Sequence, residues 1–131
     1  MPNYFVEYHK RSDGQAIVEY DTLETYCQIQ GQPKQHVADV LTSCPRVEYY
    51  VKDDSGKTVA VFFLMRTIDM HHGPVAMFCA DWVHPMHRRN RQIHKLRMWY
   101  LKRFCETFGT KKYQRSRHLS PTVQIQITKE V

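Results

Sequence analysis

The chain has 131 residues, 42% of them hydrophobic and 24% charged, which fits one packed domain over residues 1–131 and excludes a disordered chain. Its longest apolar run, Val59 to Met65, falls far short of the roughly 20 residues of a membrane span, and charges interrupt the first twenty residues, so no membrane association and a cytoplasmic location are expected. Net charge is +6, but residues 87–118 hold eleven Lys or Arg against the one acid Glu106, a surplus of +10 that leaves −4 for the rest. Such asymmetry points to an anionic partner (nucleotide, nucleic acid or acidic protein), with a solvated basic helix face as the plain alternative.

In chain order, Tyr4 to Tyr8 reads as a strand and Ser12-Asp13-Gly14 as a turn. Residues Ala16 to Val18 either extend a hairpin or begin a helix. Asp21-Thr22-Leu23-Glu24 has the form of a capping box, which predicts a short helix with Leu23, Tyr26 and Cys27 inward and Gly31 at its end. Pro33 suits the start of a second short helix, with Val37, Val40, Leu41 and Cys44 on one face and Pro45 as its stop. The period then changes. Arg46 to Lys52, Lys57 to Ile68 and Val75 to Val83 read as three consecutive strands, separated by the turns at residues 53–56 and 71–74. The run Val59 to Leu64 is apolar on both faces, as in a central strand covered on both sides.

From Asn90 to Phe108 the pattern is helical. Ile93, Leu96, Tyr100, Leu101, Phe104, Cys105 and Phe108 recur at three- and four-residue steps, Arg88, Arg89, Arg91, Lys95, Arg97, Lys102 and Arg103 mostly take the other faces, and Gly109 suits a C-cap. Lys112 to Leu119 and an alternating segment through Val123, Ile125 and Ile127 close the chain as strands. None of the four cysteines, Cys27, Cys44, Cys79 and Cys105, stands in a C-x-x-C pair; they read as reduced small hydrophobes.

A three-strand meander that feeds a long helix through a polar turn resembles the GCN5-related N-acetyltransferases (GNAT) over nearly the whole chain. Ala80-Asp81-Trp82-Val83-His84-Pro85 resembles the end of that family's fourth strand, where a Val-x-Pro often precedes the cofactor loop. The resemblance implies an α/β (α+β) fold: a mixed central sheet with an antiparallel three-strand meander, two short N-terminal helices and one long helix. In the family a Q/R-x-x-G-x-G/A loop opens the long helix, and its N–H groups hold the acetyl-CoA pyrophosphate. With Ile93 as the buried residue between the two glycines, the motif falls on Arg89-Asn90-Arg91-Gln92-Ile93-His94. A register shifted by one fits no better. The implied cofactor contacts are Val83, Arg88, Arg89, Asn90, Arg91, Gln92, Ile93 and His94. Gln92 and His94 stand where the family has small residues, and side chains of that size collide with a pyrophosphate laid against the backbone. The loop keeps its charge and loses its shape. The stretch Lys95-Leu96-Arg97-Met98-Trp99-Tyr100 also resembles small GNAT-like internal virion or assembly proteins of T7-type tailed phages, in which a basic segment enters the helix without the glycines.

Acetyl transfer needs a base for the acceptor amine and often an acid for the leaving thiolate. Asp81 is the best-placed carboxylate, Glu48 the second, and Tyr113 the nearby phenol; the plain alternative is a hydrogen-bonded strand residue for Asp81 and a core residue for Tyr113. The family's usual acid comes from a helix that is not evident between Leu119 and Thr122. His71, His72, His84 and His87 include an H-x-x-H spacing, but no helix is predicted there and no Cys lies near in sequence, so no metal is expected. Three function classes follow. The first is a catalytically degenerate GNAT-fold protein acting through protein contacts, in host cytoplasm or virion if phage-encoded, with no cofactor. The second is an acetyl-CoA-dependent N-acetyltransferase. The third is a non-specific nucleic-acid-binding domain that uses residues 87–118, with Trp99 and Tyr113 available to stack on bases.

Overall fold

The computed structural model describes residues 3–22, 24, 33–118 and 123–131. Strand β1 (Phe5–Arg11) leads through a 3-10 turn (Tyr20–Thr22) to helix α1 (Lys34–Thr42). The meander follows as β2 (Arg46–Lys52), β3 (Thr58–Asp69) and β4 (Gly73–Val83), then a 3-10 turn (Pro85–His87), the long helix α2 (Arg91–Phe108), β5 (Lys112–His118) and β6 (Gln124–Glu130). The helix expected after the capping box falls on residues 23 and 25–32 and so lies largely outside the described residues.

The six strands form one sheet in chain order, β1 to β6. Every neighbouring pair is antiparallel except β4 and β5, which run parallel because α2 carries the chain back between them. Among the described residues, Ala76 pairs with Tyr113 and Met77 with Gln114 to join those two strands. The rest of β4 runs on without a β5 partner among the described residues, so the sheet opens at the C-terminal end of β4.

The sheet has two covered faces, which is why β2 and the middle of β3 are buried at every residue. On one face Tyr49, Phe62, Leu64, Phe78 and Tyr113 pack under α2 through Ile93, Leu101, Phe104 and Cys105. On the other, Tyr50, Phe63, Ala80 and Trp82 meet Ala38 and Leu41 of α1 and Ile17. The inward residues of α2 match the three- and four-residue steps of the sequence. Asn90 caps it with its side chain, and Gly109 ends it in the left-handed region at φ 70°.

Three local expectations need correction. In α1, Val40 is 57% exposed and Ala38 takes the buried place. Val37, Ala38 and Leu41 share one side of the helix, and Val40 lies about a third of a turn away. Residues 16–18 form neither hairpin nor helix; Ile17 plugs the α1-side core from an irregular segment. Arg97 does not stay on a solvent face: its guanidinium lies 4.2 Å over the Phe78 ring.

Candidate functional site

A cleft of about 410 Å³ opens where β4 ends and α2 begins. Asp81 and Val83 bring the strand to it, His87, Arg89 and Asn90 form its loop, and Arg91, Ile93, His94 and Arg97 line it from the helix. The C-terminal ends of parallel strands beside a helix N-terminus are a general place for anionic ligands. Of the residues that the motif implied, Val83, Arg89, Asn90, Arg91, Ile93 and His94 line this cleft, whereas Arg88 and Gln92 do not. The Arg88 guanidinium turns back toward the Val83 carbonyl.

The loop is held by its own side chains. The Tyr4 hydroxyl lies 3.0 Å from Nδ1 of His87, and it accepts a hydrogen bond from Nδ2 of Asn90 at 3.0 Å. Oδ1 of Asn90 accepts from the backbone N–H of Gln92 at 2.9 Å and of Ile93 at 3.2 Å. Free N–H groups at a helix start are what a pyrophosphate would use. Here two of them already have an acceptor. Just before the cap, Arg89 takes φ 67°, a left-handed backbone that favours glycine.

The three candidates for acid and base do not converge. Asp81 pairs across the sheet with Phe62 and so faces α2. There Nε of Arg97 donates to its Oδ1 at 3.0 Å, and the other guanidinium nitrogen donates to Oδ2. Both carboxylate oxygens are thereby engaged. Glu48 pairs with Phe63 and faces α1, on the opposite side of the sheet. It is fully buried and accepts from Arg46 at 2.7 and 2.8 Å, from the Val18 N–H at 2.9 Å and from the Tyr50 hydroxyl at 2.5 Å. Burial first, then the Glu48 carboxylate, pushes the Tyr50 phenol well above its ordinary pKa. That network ties β2 to the segment before the first helix, and loss of one member of such a buried pair costs about 3–5 kcal/mol. Tyr113 is buried beside Ala76 with its ring edge-on to Phe78, away from the cleft. The place where the family's usual acid was sought, residues 119–122, lies outside the described residues.

His87 and Arg97 line the cleft but were not among the sequence's cofactor contacts. Arg97 was legible: it lies four residues after the buried Ile93, hence on nearly the same side of the helix. His84 caps the Pro85–His87 turn through Nδ1, and its ring lies 6.0 Å from that of His87. Among the described residues no group of three His, Cys, Asp or Glu side chains could hold a metal ion, and no helix is long and apolar enough to cross a membrane.

No family sequence model matches the chain, and comparison with curated proteins finds no match either. Among solved structures, an aminoglycoside antibiotic 6'-N-acetyltransferase from Acinetobacter baumannii is similar, with a TM-score of 0.64 and 16% sequence identity over 88% of this chain and 82% of that chain. A likeness at that identity concerns the fold, and it agrees with the element order and the mixed, mostly antiparallel sheet: the chain has a GNAT-like fold.

Proposed function

We propose that this is a GNAT-fold protein whose cofactor cleft no longer supports efficient catalysis, and that it acts through contacts with a protein partner. The observation that carries this reading is the Asn90 cap. Its side-chain oxygen occupies the N–H groups of Gln92 and Ile93 that a pyrophosphate would need. Two further features support it. His94 projects into the cleft where the motif has a small residue, and Arg97 engages both oxygens of Asp81, the carboxylate best placed to act as a base. The residues present therefore fit acetyl-CoA poorly, and no transfer step is assigned to them. The resemblance of residues 95–100 to internal virion proteins makes an assembly role in a tailed phage the partner class to test first. The cationic start of α2 is the surface proposed for that contact, which calls for an acidic partner.

A second reading, an acetyl-CoA-dependent N-acetyltransferase, is favoured by the presence of a cleft at the right end of β4 and by the acetyltransferase of similar fold. Calorimetric titration with acetyl-CoA separates the two. The first reading expects binding weaker than about 10 μM, roughly −7 kcal/mol. Tighter saturable binding overturns it and establishes a working cofactor site.

A further inference from the structure

The long helix borders a second groove, remote from its N-terminal cleft. It lies between the C-terminal half of α2 and the edge of the sheet at β1 and β2, with a volume of about 310 Å³. The register of β1 turns Tyr8 and Lys10 to the α2 side, opposite Tyr49 and Val47. Because β1 lies at one edge of the sheet among the described residues, α2 covers it incompletely. Tyr8 is left 56% exposed and Trp99, across the groove, 52% exposed.

These rings form one connected surface. Tyr8 lies 6.0 Å from Tyr49 and 6.1 Å from Tyr100, and Trp99 stands edge-on to Tyr100 at 4.7 Å. The Arg103 guanidinium lies 4.8 Å over the Trp99 ring. The groove continues past Lys10 and Phe104 into a space of about 390 Å³ bordered by Arg11 and Arg66. No Asp or Glu lines either space. Lys10, Arg11, Arg66 and Arg103 form no ion pair among the described residues.

Arg11 and Arg66 donate to the Ala16 and Phe108 carbonyls, and among the described residues none of the four cations meets a carboxylate. Half-exposed aromatic rings beside such cations suit a ligand that is both flat and anionic. A purely acidic peptide, such as polyglutamate, would satisfy the cations and leave the rings in water. An apolar partner would cover the rings and strand the cations. A nucleic-acid duplex offers phosphates but keeps its base faces stacked inside. We propose that this groove binds single-stranded nucleic acid, with bases against Trp99 and Tyr8 and phosphates along Lys10, Arg103 and Arg66. The proposal stands independently of acetyl-CoA binding, since it uses no residue of the N-terminal cleft.

The test is fluorescence anisotropy with labelled oligothymidylate of about 12 nucleotides at about 50 mM salt, on the whole chain. Saturable binding that weakens as salt rises is expected. Trp99→Ala and Tyr8→Ala should each reduce affinity by about tenfold, and Trp99→Phe, which keeps a ring, should restore most of the loss. Arg103→Glu should flatten the salt dependence. Arg89→Glu combined with Arg91→Glu, at the other end of the helix, should have the smaller effect. Circular dichroism confirms that each variant is folded, which the exposure of both rings favours. Binding that is absent, that survives loss of both rings, that Trp99→Phe fails to rescue, or that duplex DNA or polyglutamate competes away equally well, overturns the proposal.

Discussion

Arg89 and Asn90 together set the shape of the loop before the long helix. Arg89 holds a left-handed backbone at φ 67°, which costs a non-glycine residue about 1–2 kcal/mol. The conformation lets the next residue leave the turn with its N–H on the His87 carbonyl at 3.2 Å and its side chain aimed at the helix start. Glycine fits that backbone without strain but adds freedom to the unfolded chain. Arg89→Gly is therefore expected to be at least as stable as the parent, whereas the β-branched Arg89→Val, for which this backbone is a true outlier, should be less stable than the parent. Urea denaturation of the two variants checks this, and equal stability would show that the turn relaxes when the side chain changes.

At the scale of elements, the long helix is held by its buried stripe. Leu101 is wholly buried and Phe104 is 3% exposed, both against the sheet. Replacing either with Ala should cost about 2–5 kcal/mol in a denaturation experiment, a large share of the stability of a domain this size. The junction between α1 and β2 carries a different device. The Cys44 thiol is pulled down from its ordinary 9.0 to about 7, first by the neighbouring Cys79 thiol and then by the Arg46 guanidinium, against the opposing effect of burial. Cys79, whose thiol donates to the Phe63 carbonyl at 3.5 Å, is pushed the other way by its Cys44 neighbour and by its own burial. Because the folded state favours the Cys44 thiolate, its stabilising contribution is present above about pH 9 and is lost as pH falls through about 7. Iodoacetamide at pH 7.5 should modify Cys44 well before Cys79 or the buried Cys105, at a rate that falls as pH drops through 7. Peptide mapping by mass spectrometry reads the order directly.

For the whole molecule, the uneven charge acquires a location. Arg88, Arg89, Arg91 and Lys95 crowd the start of α2, whose first turn holds no acid. A cation in that position opposes the helix dipole, typically at about 0.3–1 kcal/mol. Neither Arg89 nor Arg91 is in an ion pair among the described residues; the Asp81 carboxylate is taken by Arg97 instead. Arg89→Glu together with Arg91→Glu should leave the domain as stable or slightly more so in thermal melts. If the proposed partner is anionic and docks here, the same change should weaken its binding and reduce the salt dependence of that binding. Unfolding on charge reversal would make these arginines structural and remove the argument for an anion at this end of the helix.

Sequence alone determined the order and approximate limits of the described strands and of both regular helices, together with the inward faces of Ile93, Leu101 and Phe104. Those features follow from local period, capping residues and turn chemistry, each set within a few residues. Tertiary structure decided the rest. Asp81 and Glu48 lie on opposite faces because the face of a strand residue depends on the register of pairing across β2, β3 and β4, and a single step of register exchanges the faces. Tyr113 enters the core because β5 joins β4 at Ala76, a parallel pairing between distant segments. The engagement of Asp81 by Arg97 and the meeting of Tyr8 with Tyr100 depend on how α2 is laid over the sheet, which no local pattern specifies.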